Sequence, residues 1–256
     1  MEYLDKKEFN IFELISVAIG IFKDNALTFA MLVMTVFFPV AVLLEMLSQY
    51  MNLELLSLDI QSMLSNEAFL KSFISLPQII YYSFWILIQV IAAPLLTMAA
   101  ASAVKTALKG EKTDYKKAAA DSISHGPSLI LAAVFTFLLT SIGYMTFVFP
   151  GIYFSVIFHF FVYAIILNDM KALDAVFYSK SLVKGRWMRV LFYAFIFYTV
   201  NFGFSISLNS LFFILGGNFA AGVLTTMLGA FINSFFYVIN TVWFLNIEHF
   251  KKGGIL

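Results

Sequence analysis

The chain has no cysteine in its 256 residues, which excludes a disulfide framework, thiolate catalysis and cysteine-based zinc or iron–sulfur sites. Charge is scarce as well. Asp, Glu, Lys and Arg make up 12% of the residues, about half of the roughly 25% usual in soluble domains, so a water-soluble surface cannot be assembled from that supply. There are five prolines and three histidines, and no HExxH pair, phosphate-binding loop, GxSxG elbow or pair of intramembrane aspartates can be read. The groups that build a catalytic or metal centre are therefore thin, and neither a cofactor nor a metal is expected.

What the chain has in quantity is apolar surface: 61% hydrophobic and 18% aromatic residues, with a mean hydropathy of +0.90. Crossing a hydrocarbon core of about 30 Å takes roughly 20 helical residues. Six runs qualify, at about 26–48, 77–104, 127–148, 150–168, 188–213 and 219–247. The expected fold is an all-α polytopic membrane bundle forming a single integral-membrane domain over 1–256. Pro77, Pro127 and Pro150 fall at helix starts, where a missing N–H is harmless. Pro39 and Pro94 fall inside spans and predict kinks. The opening MEYLDKKEFN mixes acids with cations and leads into no short apolar core with a cleavage site, so the first span is expected to act as an uncleaved signal.

A net charge of +1 conceals an asymmetry between loops. Lys6, Lys7 and Lys23 precede the first span, and Lys105, Lys109, Lys112, Lys116 and Lys117 follow the second. Lys171, Lys180, Lys184, Arg186 and Arg189 follow the fourth, and Lys251 and Lys252 follow the sixth. With Lys71 alone on the other side, fifteen of sixteen cations share one face. That bias predicts both termini in the cytoplasm of a cell membrane. On the opposite side, LDIQSMLSNEAFLKSFIS within 49–76 carries an apolar face and is expected to lie on the outer leaflet. The other outer connections, around Pro150 and Gly217, are expected to be tight turns.

One arrangement recurs before each odd-numbered span: an amphipathic segment, a break, then a span. The breaks fall at Lys23-Asp24-Asn25, His125-Gly126-Pro127 and Lys184-Gly185-Arg186. In the first instance Ile11, Leu14, Ile15, Ala18, Ile19 and Phe22 share a face. The pattern predicts a threefold internal repeat of interfacial helix plus helical hairpin. Its cations would meet anionic headgroups, at about 1 kcal/mol each, with Lys116, Lys117, Lys180, Lys184, Arg186 and Arg189 as the expected lipid contacts.

The stretches FPGIYFSVIF and AIILNDMKALDAVFYSKSLVKGRWMRVLFY, with Pro150, Gly151, Asp169, Ala175, Ser179, Ser181 and the Lys184-Gly185-Arg186-Trp187 turn, carry a family likeness together with the N-terminal FELISVAIGIFKDNALTF. The chain resembles, over roughly 9–250, the membrane domain ahead of the catalytic barrel in some bacterial glycerophosphodiester phosphodiesterases, and related stand-alone six-span inner-membrane proteins of unassigned activity. The resemblance implies six spans with interfacial helices and contact with lipid or a membrane partner. It implies no hydrolase activity, because no barrel with metal-binding carboxylates and catalytic histidines is present in these residues.

Polar residues inside spans are the remaining functional candidates. His159 lies near the centre of the fourth span, with Gln89 in the second, Asn201 and Asn209 in the fifth, and Asn233 and Asn240 in the sixth. The asparagines are spaced to face one another, either as interhelical amide pairs or as the lining of a polar cavity. Alanines at 92, 93, 99, 101, 103 and 107, with Thr97, permit close helix approach in the second span. Glu45, Asp169 and Glu248 fall at span ends, where hydration is expected. The leading expectation is a non-enzymatic membrane protein that contacts lipid or supports a membrane process, with a protein partner or a second copy as further partners and no nucleic acid. The alternative is a small transporter or flippase-like protein with a polar path through His159, Asn201 and Asn233. A cavity reaching His159 is what separates the two.

Overall fold

The computed structural model describes residues 8–50 and 76–253. The expected outer-leaflet helix within 49–76 lies outside them. The described residues form ten α-helices: α1 Ile11–Asp24, α2 Ala26–Tyr50, α3 Leu76–Leu108, α4 Tyr115–Ser124, α5 Gly126–Thr146, α6 Val148–Ile157, α7 Phe161–Asn168, α8 Ala172–Val183, α9 Trp187–Ile214 and α10 Phe219–Gly253. Six stretches are long and apolar enough to cross a membrane, with α6 and α7 together making the fourth. The chain is an all-α multipass membrane protein, and its order of short helix, span, span follows the expected arrangement three times.

Local chemistry sets the helix boundaries. Asn10 caps α1 by accepting from Glu13 N–H at 2.9 Å while Glu13 accepts from Asn10 N–H at 2.9 Å, a reciprocal capping box. Asp114 caps α4, and Pro127 occupies the first turn of α5. Gly216 and Gly217, at φ +89° and +59°, turn the chain into α10, where Asn218 accepts from Ala221 N–H at 3.0 Å. The other connection is tight and Pro150 lies in the first turn of α6, both as expected, with the reversal itself at Phe147, in extended conformation. Gly151 serves packing instead of the turn. A Cβ there would lie 2.3 Å from the Tyr144 ring, and one on Gly143 would lie 2.9 Å from Gly151 N. The paired glycines let α5 and α6 approach at backbone distance.

The core forms around α3, which packs on α2, α4, α5, α7 and α10. Ala99, Ala100, Ala101, Ala103 and Val104 are buried there, so the small side chains expected in this span serve many neighbours at once. The short helices are docked onto one end of the bundle. α1 packs on α10, α4 on α3, and α8 on α7 and α5. In α1 the buried face centres on Leu14 and Ala18, with Val17 and Ile21 packed beside them, while Ile19 stays 43% exposed. Ile11, Ile15 and Phe22 pack against the core as well, so the expected face is the buried one apart from Ile19. α9 packs on α10 and α6 and is otherwise largely exposed, with Phe192, Phe195 and Phe202 facing outward as lipid-facing residues do.

Hydrogen bonds between remote segments tie that end together. Phe9 N–H donates to the buried Asn246 Oδ1 at 2.9 Å, and Lys105 Nζ donates to the Leu167 carbonyl at 2.8 Å at the end of α7. His125 Nε2 lies 3.1 Å from Asp169 Oδ1, and Asp169 itself sits at φ 52°. Glu8 pairs with Arg186 at 2.6 Å and with Arg189. Glu248 is buried at 7% exposure, contrary to the expected hydration, and accepts from Asn168 Nδ2 at 2.5 Å and Tyr178 Oη at 2.6 Å.

Candidate functional site

The fourth span is not one helix. Residues 158–160 form turns between α6 and α7. His159 N–H bonds the Val156 carbonyl and Phe161 N–H bonds the Phe158 carbonyl, both at 3.3 Å, so the local bonds are of the tighter i→i+3 kind. That shift strips Phe160 N–H and the Ile157 carbonyl of their ordinary i→i+4 partners. Ser179 from α8 replaces both: Phe160 N–H donates to Ser179 Oγ at 3.0 Å, and Ser179 Oγ donates to the Ile157 carbonyl at 2.8 Å. In a bilayer core a broken helix survives only where such groups are satisfied inside the protein. α8 is therefore more than a surface strip, since its Ser179 is fully buried in the break.

The break aims His159 into an open cavity of about 630 Å³ lined by residues of α3, α5, α6, α7, α9 and α10. His159 Nε2 lies 3.0 Å from Asn240 Oδ1, and Asn240 Nδ2 donates to the Phe236 carbonyl at 2.9 Å. Because the amide nitrogen is committed, Oδ1 is the acceptor and Nε2 carries the hydrogen. In the neutral ring Nδ1 is then a bare acceptor. Across the cavity Asn201 Nδ2 donates to Asn233 Oδ1 at 2.5 Å. His159, Asn201, Asn233 and Asn240 thus come together, as amide pairs and as cavity lining at once.

The other two expected polar residues do not join them. Asn209 is exposed on α9 and does not line the cavity. Gln89 belongs to α3, and its side chain lies outside the described residues.

Other lining groups went unremarked in the sequence. Thr136 and Thr140 of α5 are spaced i, i+4, as are Asn201 and Ser205 of α9. Asn233, Tyr237 and Asn240 of α10 follow at i, i+4 and i+7. A search for polar residues repeating at helical spacing inside spans would have found these stripes. Pro94 of α3 adds an acceptor by subtraction: it has no N–H for the Val90 carbonyl, and both residues line the cavity. Aromatic faces of Phe137, Phe197, Tyr198 and Phe236 make up much of the remaining wall. Among the described residues no Asp, Glu, Lys or Arg lines the cavity.

The expected lipid contacts divide in two. Lys116, Lys117, Lys180 and Lys184 are exposed on α4, α8 and the turn after it. Arg186 and Arg189 are engaged by Glu8. Among the described residues no three His, Asp or Glu side chains gather as a metal-ligand group. No family model, curated protein or solved structure matches the chain, and nothing in those comparisons bears on the likeness to the phosphodiesterase membrane domain.

Proposed function

We propose that the protein is a non-enzymatic multipass protein of a bacterial cell membrane, with both termini cytoplasmic, whose central cavity receives and passes a small neutral, hydrogen-bonding molecule. The observation that carries this reading is the polar, uncharged lining around His159. Donors, acceptors and aromatic faces suit hydroxyl- or amide-bearing ligands. A charged ligand would have no counter-ion there, and stripping an ion of water costs several kcal/mol when nothing repays it. The break in the fourth span supports passage, because it places the His159 side chain in the cavity lining at membrane depth.

A second reading, a lipid-contacting accessory protein, draws support from the exposed Lys116, Lys117, Lys180 and Lys184 at one end of the bundle.

The absence of cysteine makes the cavity directly testable. Single variants Ser155→Cys, Ser205→Cys and Asn233→Cys, reconstituted in liposomes, are expected to react with a small water-soluble methanethiosulfonate, while Phe195→Cys facing outward on α9 is not. Glycerol entry followed by light scattering should exceed that of protein-free vesicles and fall in His159→Phe. Unreactive cavity cysteines would sink the passage reading.

A further inference from the structure

A second concave site lies away from the central cavity, between α6 and the turn joining α8 to α9. It has a volume of about 480 Å³. Its walls are Tyr153, Ile157, Phe177 and Trp187, and Lys180, Ser181 and Lys184 are at its rim. Gly185 at φ +82° makes the turn that sets Lys184 beside Trp187. The Trp187 ring stacks near Tyr153, with centroids 6.3 Å apart.

Three features distinguish this cleft from an ordinary patch of surface. First, among the described residues the Lys180 and Lys184 side chains have no hydrogen-bond or ion-pair partner, whereas neighbouring Arg186 and Arg189 are held by Glu8. No acid among the described residues lines the cleft. Second, Trp187 Nε1 is buried without a hydrogen-bond partner, the one such side-chain atom among the described residues. Third, the wall is open to the outside of the bundle: Tyr153 is 44% and Phe177 59% exposed. Lys251 adds a further cation nearby, its Nζ 2.5 Å from Ser181 Oγ. Indole and phenol rings beside unpaired lysines match the headgroup level of a bilayer, where aromatic residues anchor and lysine stems reach along apolar surface toward phosphate.

We propose that this cleft binds an anionic phospholipid, with its phosphate between Lys180 and Lys184, and Tyr153, Ile157, Phe177 and Trp187 against its glycerol and upper acyl carbons. The proposal rests on the lipid-contact reading above and narrows it to one site.

The test uses the full chain in detergent micelles doped with phosphatidylglycerol or phosphatidylcholine, reading lipid retention by native mass spectrometry and thermal stability in parallel. Wild type should retain and be stabilised by phosphatidylglycerol preferentially. Lys180→Gln/Lys184→Gln should bind it about 25-fold more weakly, about fivefold for each cation. Lys180→Arg/Lys184→Arg should retain it, which separates loss of charge from misfolding. Lys109→Gln/Lys112→Gln, exposed between α3 and α4, should leave it unchanged.

Equal loss in the Lys109→Gln/Lys112→Gln variant would overturn the site while leaving the broader lipid reading standing. No preference for phosphatidylglycerol in wild type would overturn both. An equal stabilisation by inorganic phosphate would overturn the lipid as the source of the anion.

Discussion

Ser179 stands in for a helical backbone partner of Phe160: the Phe160 N–H donates to its hydroxyl oxygen at 3.0 Å, and the same hydroxyl donates to the Ile157 carbonyl at 2.8 Å. One side chain from α8 thereby holds open the break that points His159 at the cavity.

Ser179→Ala should destabilise the fold by about 2 kcal/mol, the cost of leaving buried donors and acceptors unpaired. Thermal unfolding in detergent, alongside Ser181→Ala as a more exposed neighbour, reads the difference. A loss no larger than that of Ser181→Ala would show that the break does not depend on α8.

Tyr178 gives a pH signature outside the spans. Burial first, then the hydrogen bond and charge of Glu248, raise its hydroxyl well above the ordinary phenol range. Since the unfolded chain releases this proton near pH 10 and the folded protein later, the stabilisation is full below about 10 and is lost as pH climbs toward the folded value. Melting followed from pH 8 upward should fall more steeply in wild type than in Tyr178→Phe. Parallel curves would contradict the assignment.

Two glycines in spans should respond in opposite directions to alanine. At Gly151 the new methyl would meet the Tyr144 ring at 2.3 Å, and overpacking of this kind costs about 1–3 kcal/mol. Gly203 in α9 has nothing within 4 Å of an added Cβ, so Gly203→Ala should be neutral or stabilising by up to about 1 kcal/mol through helix propensity. Paired melting curves distinguish close packing from composition.

The Asn201 and Asn233 amides should be coupled. A double-mutant cycle with leucine is expected to return about 0.6 kcal/mol, the average for intramembrane hydrogen bonds. The double variant should remain folded yet slow glycerol entry, because two leucines fill the cavity with apolar volume. Unchanged entry with a folded protein would remove this pair from the passage.

Much of the architecture was legible along the chain because it depends on local quantities. Run length against bilayer thickness placed the spans, with α2 at Ala26–Tyr50 and α9 at Trp187–Ile214 lying close to their expected bounds. Gly-Pro at 126–127 and Gly-Gly at 216–217 marked two helix starts. Pro150 marked a helix start as well, while the local signal misled at Gly151, which reads as part of the turn. The approach of Tyr144 and Gly143, a contact across the α5–α6 hairpin, assigns Gly151 to packing.

The break at residues 158–160 had no local mark, since FSVIFHFFVYAIIL reads as one uninterrupted apolar helix. It exists because Ser179, nineteen residues away, offers hydrogen bonds that compete with the helix's own. Glu248 likewise reads as a hydrated span end until Asn168 and Tyr178 close over it. The sequence alone determined that this protein is a helical membrane bundle with its cations on one side, because length, apolarity and charge bias act residue by residue. Only the tertiary structure decided that His159 meets a cavity and that the Lys180 and Lys184 side chains have no partner among the described residues. Those facts depend on which distant groups share space, and no periodicity along the chain encodes that.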